Sequence, residues 1–178
     1  GVANVESDSY SIGRDMLEKA YRMSKDLGFY HKSVEINLAI QKLNFLENKP
    51  VCDLSALRKE IIENKIGNSE SLIRKIIALE GLLALKNKKY KDAMEHFTSG
   101  LKMEKKNLWD ELTVLFHFNL AKCYREHEEY LREKEHINEG INVLEEIKKN
   151  IPESSINSFL NKECFRILTG NILKKGIS

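Results

Sequence analysis

The chain has 178 residues, of which 42% are apolar and 31% are charged, with nine glycines and only two prolines. This composition excludes a disordered polar chain, a collagen-like chain and a disulfide-stabilised miniprotein. The scarcity of turn residues also disfavours a many-stranded sandwich or barrel. With 29 basic and 27 acidic side chains the formal net charge is +2, so the bulk charge does not indicate a polyanion as partner.

Apolar residues recur at steps of three and four through most of the chain, which is the spacing of amphipathic helices. In the first third, the pattern predicts a helix that ends at Gly28, where glycine suits a helix C-cap. A second helix is predicted over 29–46, before the stop signal at Pro50. A shorter helix over 53–65 follows, with Asp53 as its N-cap.

Five further helices are predicted in the rest of the chain, over 72–85, 90–103, 108–127, 130–147 and 154–174. The segment 72–85 is almost entirely apolar, so we expect this helix to be central. No segment alternates with the period of a strand. The sequence therefore predicts an all-α protein of eight helices.

A pattern of small, aromatic, large apolar and small residues occurs three times. The first copy lies 61 residues before the second, and the third copy lies 40 residues after the second. The three copies are Ala20, Phe29, Ile36 and Ala39; Gly81, Tyr90, Phe97 and Gly100; and Ala121, Tyr130, Ile137 and Gly140. Small residues let helices approach closely, and an aromatic residue fills the gap at a turn between two helices. We therefore expect three helix hairpins, at about 9–48, 69–105 and 107–150, each of which buries its apolar face against a neighbour.

The second and third copies resemble tetratricopeptide repeats (TPRs). The resemblance rests on the sequence Ala-Leu-Glu-Gly-Leu-Leu-Ala at 78–84, followed by Tyr-Lys-Asp-Ala-Met-Glu-His-Phe at 90–97, and on Asn-Leu-Ala-Lys-Cys-Tyr at 119–124. It implies a single domain built as a TPR-like right-handed superhelix of about three hairpins, with the extra helix at 53–65 and a capping helix at 154–174. It also implies a scaffold that binds proteins or peptides.

Two features depart from the repeat pattern. The small residue at Ala93 is replaced by Lys32 in the first copy and by Glu133 in the third, and the spacing exceeds the roughly 34 residues of the standard repeat. Irregular units of about 40 residues resemble the helical domains of peptide-pheromone receptors in Gram-positive bacteria. The alternative function is therefore a peptide-sensing regulatory domain of a bacterial signalling receptor.

The sequence carries no recognisable catalytic or metal-binding motif. The five histidines lack the His-Glu-x-x-His pattern and any His-Cys zinc spacing, and glycine-rich phosphate loops and nucleophile elbows are also missing. We therefore expect a protein that is not an enzyme and that needs no metal or cofactor.

The cysteines and the hydropathy indicate the compartment. Cys52, Cys123 and Cys164 are odd in number, far apart and close to apolar residues, which favours a reducing, cytoplasmic location. No apolar run approaches the roughly 18 residues of a membrane span, and no signal peptide is recognisable. Because the chain begins at Gly1 rather than Met, we expect it to be a piece of a longer protein.

The resemblance to TPR proteins implies that the first helix of each hairpin lines an inner surface. When the three copies are aligned by their small residues, the positions on this surface are mostly basic. The predicted peptide-binding residues are Arg14, Tyr21, Lys25, Lys75, Leu82, Lys86, Phe118, Asn119, Lys122 and Arg125. Among them Tyr21, Leu82 and Phe118 are the expected apolar anchors, and Asn119 resembles an asparagine that bonds a ligand backbone in the family. The expected ligand is an acidic peptide or segment, whereas nucleic acid is disfavoured by the small net charge. The alternative is a basic surface that is simply solvated.

Overall fold

The computed structural model describes residues 2–64, 66, 69–103 and 110–155, and side chains from residue 12 onward. This part of the chain is all-helical and contains no strand, which confirms the predicted all-α class. Seven helices have bounds within the described residues, namely α1 (Val2–Asp26), α2 (Tyr30–Leu46), α3 (Leu54–Glu63), α4 (Ser69–Lys86), α5 (Tyr90–Lys102), α6 (Glu111–Glu126) and α7 (Tyr130–Lys149). Residues 153–155 are helical as well. The predicted capping helix at 154–174 lies outside the described residues from 156 onward.

Two predicted helix ends are confirmed by their hydrogen bonds and backbone angles. Asp53 caps α3, where its side chain accepts hydrogen bonds from the backbone N–H groups of Ser55 at 2.9 Å and Ala56 at 3.3 Å. Gly28 follows α1 with φ +72°, in the left-handed region that glycine enters without steric cost.

The turns between α1 and α2, α4 and α5, and α6 and α7 share one geometry. Each contains a left-handed residue, namely Gly28 (φ 72°), Lys88 (φ 57°) and Glu128 (φ 61°). The next residue then donates its backbone N–H to a carbonyl five residues back, at 2.8, 2.9 and 3.0 Å in the three turns. This 6→1 bond is the mark of a Schellman motif, which ends a helix and turns the chain sharply.

These equivalent turns are 60 and 40 residues apart, so the 61-residue offset predicted for the first copy is wrong by one residue. Tyr30, and not Phe29, begins the second helix of its hairpin, as Tyr90 and Tyr130 do in theirs. The residue equivalent to Ala93 then becomes Ser33, which is small and only 2% exposed. The sequence favoured the wrong offset because small and aromatic residues also occupy the positions next to the correct ones near this turn.

The contacts of the chain fall into two compact units that divide between Leu79 and Glu80, inside α4. In the second unit, glycines allow helices to approach aromatic rings closely. A β-carbon at Gly81 would lie 2.7 Å from Cζ of Phe97, and one at Gly100 would lie 2.6 Å from Cε2 of Phe116. Both phenylalanine side chains are fully buried. These two glycines therefore set the packing of α4 on α5 and of α5 on α6.

Candidate peptide-binding surface

In the first unit, Arg14 joins α1 to α2 instead of facing outward. Its Nη1 donates to Oδ1 of Asn44 at 2.8 Å, and its Nη2 forms an ion pair with Glu47. The Arg14 side chain is 17% exposed. The guanidinium is thus occupied within the hairpin, where a bidentate arrangement of donors stabilises the contact between the two helices.

Tyr21 and Lys25 lie one turn apart on α1 and contact each other. Tyr21 is half-buried, whereas Lys25 is exposed and its ammonium lies 5.3 Å from the centre of the Tyr21 ring. A side-chain hydrogen bond with Tyr21 raises the pKa of Lys25, so the lysine stays charged at neutral pH. Lys75, on α4, is also exposed, with its Nζ 3.8 Å from Oε1 of Glu35.

The 60-residue offset changes the charge of the surface predicted for the first hairpin. With this offset, Lys75, Leu82 and Lys86 correspond to Asp15, Arg22 and Asp26 rather than to Arg14, Tyr21 and Lys25. The first-hairpin face then consists of five exposed residues of both signs: Asp15, Glu18, Arg22, Lys25 and Asp26. The prediction that this face of the first hairpin is basic is therefore wrong.

In the second unit, Lys86 and Lys122 are exposed and Leu82 is half-buried. Arg125 instead pairs with Glu133 across the α6–α7 hairpin. Its Nε donates to Oε1 of Glu133 at 2.6 Å, and its Nη2 contacts the same oxygen. Glu133 occupies the buried position of Ala93 and is 9% exposed, so the arginine offsets the cost of burying a carboxylate.

Phe118 and Asn119 are both buried, each with 4% exposure. The Phe118 ring packs in a core cluster with Val114, Val143 and Leu144. The Asn119 side chain donates its Nδ2 to the carbonyl of Leu115, one turn earlier in the same helix, at 2.8 Å. This placement favours a role for Phe118 in holding α6 and α7 together and for Asn119 within α6, rather than direct contact of either residue with a ligand.

A cluster on α6 and α7 was missed by the sequence analysis. Nδ1 of His117 and Nδ1 of His136 are 3.0 Å apart, so one donates to the other and the two cannot both carry a proton there. Tyr124 stacks on His136, with ring centres 5.3 Å apart, and the Arg132 guanidinium lies 5.5 Å from the Tyr124 ring. Because these residues come from two helices, only knowledge of the hairpin register would have found the cluster.

Burial controls the charge of this histidine pair. Desolvation, together with the nearby His136, lowers the pKa of His117 to about 4. Desolvation also lowers the pKa of His136, although Glu135 and Glu139 oppose the shift. Both rings are therefore neutral at physiological pH.

A second contact missed by the sequence analysis joins the start of α5 to the end of α6. The Tyr90 hydroxyl donates to Oε2 of Glu126 at 3.2 Å, and its ring meets His127 edge-on with centres 6.0 Å apart. The sequence analysis did name Tyr90, as the aromatic residue of the second copy, but it predicted no contact with Glu126 or His127.

Within the described ranges, no three His, Cys, Asp or Glu side chains are grouped so that they could hold a metal ion. None of the helices in this part of the chain combines the length and the hydropathy needed to cross a membrane. No protein-family model, curated protein or solved structure matches the chain.

Proposed function

We propose that the chain is a TPR-like helical-repeat module that binds an acidic protein or peptide segment through lysines on the first helices of its hairpins. The observation that carries this proposal is the difference in exposure among the predicted basic residues. Arg14 and Arg125 are half-buried, whereas Lys86 and Lys122, which both belong to the second unit, are exposed. Each exposed lysine is a local source of positive charge on a nearly neutral chain.

Within the second unit, Lys86 and Lys122 are the residues on which the proposal depends most. An exposed ammonium group can form charge-assisted hydrogen bonds with ligand carboxylates. The half-buried Leu82 adds apolar contact area, whereas Phe118 and Asn119 act by fixing α6. The ligand class follows from this chemistry: a segment with carboxylates and at least one apolar side chain.

The proposal is tested with a fluorescently labelled library of short peptides rich in Asp, Glu and Leu, whose binding is measured by anisotropy. We expect Lys86→Glu and Lys122→Glu each to weaken the tightest peptide about tenfold or more, since a hydrogen bond to a charged group contributes roughly 1.5–3 kcal/mol.

The matched controls are Lys91→Glu on α5 and Lys134→Glu on α7, which make the same charge change at exposed positions of second helices. We expect these controls to leave the affinity within about twofold, as distant surface charges contribute little. Failure of every acidic peptide to bind, or equal losses in the controls, would contradict the proposal.

A further inference from the structure

Two histidines meet across the α6–α7 hairpin. Nδ1 of His117 on α6 is 3.0 Å from Nδ1 of His136 on α7, and the ring centres are 5.2 Å apart. Gly140, one turn after His136, lets the helices approach closely, because a β-carbon at Gly140 would lie only 3.3 Å from Cβ of His117. The two histidines are 19 residues apart in the sequence, so they form no recognisable motif, and the packing of the two helices alone brings their imidazoles together.

The distance between the two nitrogen atoms is one that a single metal ion can bridge. Zinc–imidazole bonds are about 2.0–2.1 Å long, so two nitrogens on one ion lie from about 2.9 Å apart at a right angle to about 3.4 Å apart at the tetrahedral angle. The Nδ1 atoms of His117 and His136 fall within this range. Both can bind one ion when the rings turn their lone pairs toward a common point and the proton between them moves to an Nε2 atom.

The surroundings of the two rings suit metal ligands. The Tyr124 ring stacks on His136 with 7° between the ring planes, and this contact fixes the orientation of the imidazole. Both histidines are half-buried, so an ion can reach them from the solvent. Burial favours the neutral form of both rings, and neutral imidazole is the form that binds a metal.

The charges around the histidines also favour a cation. Glu135 and Glu139 are exposed on α7 and both act on His136, whereas Arg132, also exposed on α7, acts on it with the opposite sign. The Arg132 guanidinium lies 5.5 Å from the Tyr124 ring. Two carboxylates thus oppose one guanidinium, and the charged groups that act on His136 carry one net negative charge.

We propose that His117 and His136 together bind one divalent transition-metal ion such as zinc between α6 and α7. No third His, Cys, Asp or Glu side chain completes a group of three in the part of the chain that the structure describes, so water fills the remaining positions. Imidazole suits zinc, copper and nickel, whereas magnesium and calcium prefer oxygen ligands. With two imidazoles and no thiolate, the dissociation constant should be in the micromolar range. The inference is independent of the proposed peptide binding, because neither histidine is a predicted peptide-binding residue.

Isothermal titration calorimetry of the complete, metal-free chain with zinc chloride tests the proposal. We expect one zinc ion per chain and no binding of magnesium, and we expect His117→Gln and His136→Gln each to raise the dissociation constant about tenfold or more. His127→Gln is the matched control, because His127 is an exposed histidine of the same unit. Cys52→Ser is a second control, because it removes an exposed thiol that could hold zinc. Both controls should leave the dissociation constant within about twofold.

A measurement on the parent chain does not depend on the folding of any variant. Zinc should shift the ring-nitrogen NMR signals of His117 and His136 and leave those of the other three histidines in place. Absence of zinc binding, or binding that neither histidine substitution weakens, would overturn the proposal. So would an equal loss of binding in either control variant, because the ion would then be held elsewhere.

Discussion

At the scale of single residues, the left-handed position of each hairpin turn links side-chain identity to stability. Lys88 and Glu128 adopt φ values of 57° and 61° with a β-carbon, a conformation that costs non-glycine residues about 1–2 kcal/mol. We predict that Lys88→Gly and Glu128→Gly each raise the free energy of unfolding by about 0.5–1 kcal/mol, since the gain is partly offset by the greater backbone entropy of glycine.

The reverse change, Gly28→Ala, should lower the free energy of unfolding by about 1 kcal/mol, because Gly28 has φ +72°. Urea denaturation followed by circular dichroism measures all three variants. If Lys88→Gly and Glu128→Gly destabilise the protein, the left-handed turns are not sources of strain.

The histidine pair on α6 and α7 makes stability depend on pH. The folded-state pKa of His117 is about 4, below the ordinary value of 6.5, so its contribution is fully present above pH 6.5 and is lost as the pH falls towards 4. At about 1.36 kcal/mol per pKa unit, the largest change in the free energy of unfolding from this shift is about 3 kcal/mol. Solvent screening of this incompletely buried ring reduces the expected change to about 1–2 kcal/mol.

We predict that His117→Gln flattens the dependence of the free energy of unfolding on pH between 6.5 and 4. The other facing groups on α7 and α6 (Arg132, Glu135, Glu139 and Tyr124) are unchanged in this variant, so the difference reports the loss of the His117 imidazole together with its contact to His136. His31→Gln, in the other unit, serves as the control. A slope equal to that of the parent chain would show that His117 does not become charged on unfolding in this range.

At the scale of helices, Gly81 is the position where one added carbon should do most damage. Its β-carbon would meet the buried Phe97 ring at 2.7 Å from Cζ, so Gly81→Ala should lower the free energy of unfolding by about 1–3 kcal/mol. Gly81→Leu should cost more, and Phe97→Leu should recover part of the loss caused by Gly81→Ala.

Gly13→Ala on α1 is the control for the intrinsic effect of alanine in a helix. A β-carbon at Gly13 meets nothing within 4 Å, so this change should stabilise the protein by about 0.5–1 kcal/mol. Urea denaturation compares the two variants. Equal effects of Gly13→Ala and Gly81→Ala would mean that the Phe97 ring moves aside freely.

The helices themselves could be predicted from the sequence because apolar periodicity, glycine and aspartate caps are local signals. Gly28 and Asp53 mark helix ends in the structure as the sequence predicts. The offset of the first copy could not be fixed in this way, because a shift of one residue exchanges Phe29 for Tyr30 and Lys32 for Ser33. Only the hydrogen bonds of the turn distinguish these alternatives.

The candidate surface was harder to predict because exposure depends on pairing between helices. Phe118 lies on the first helix of its hairpin as expected, yet its ring packs against α7. Arg125 is neutralised by Glu133, eight residues later and across a turn. Lys86 and Lys122 are exposed, but the sequence pattern alone does not distinguish them from the half-buried Arg125.

At the scale of the whole molecule, the net charge of +2 limits long-range attraction of an acidic ligand. Binding through Lys86 and Lys122 must therefore depend on short-range charge contacts. The Debye length falls from about 10 Å at 0.1 M salt to about 3 Å at 1 M, so screening of exposed contacts should become strong over this range.

We predict that the affinity for the tightest acidic peptide falls as salt rises, and that the double variant Lys86→Glu/Lys122→Glu loses most of this salt dependence. The double control Lys91→Glu/Lys134→Glu makes the same change in net charge. It should keep the salt dependence of binding, because a charge far from the ligand is screened in the parent chain as well. Anisotropy titrations at about 0.1 M and about 1 M salt measure the effect, with a version of the peptide in which Gln replaces Glu and Asn replaces Asp as an uncharged probe. If the affinity of the acidic peptide does not change with salt, or if both double variants respond alike, charge contacts at Lys86 and Lys122 do not hold the ligand, and the solvated-surface interpretation is the correct one.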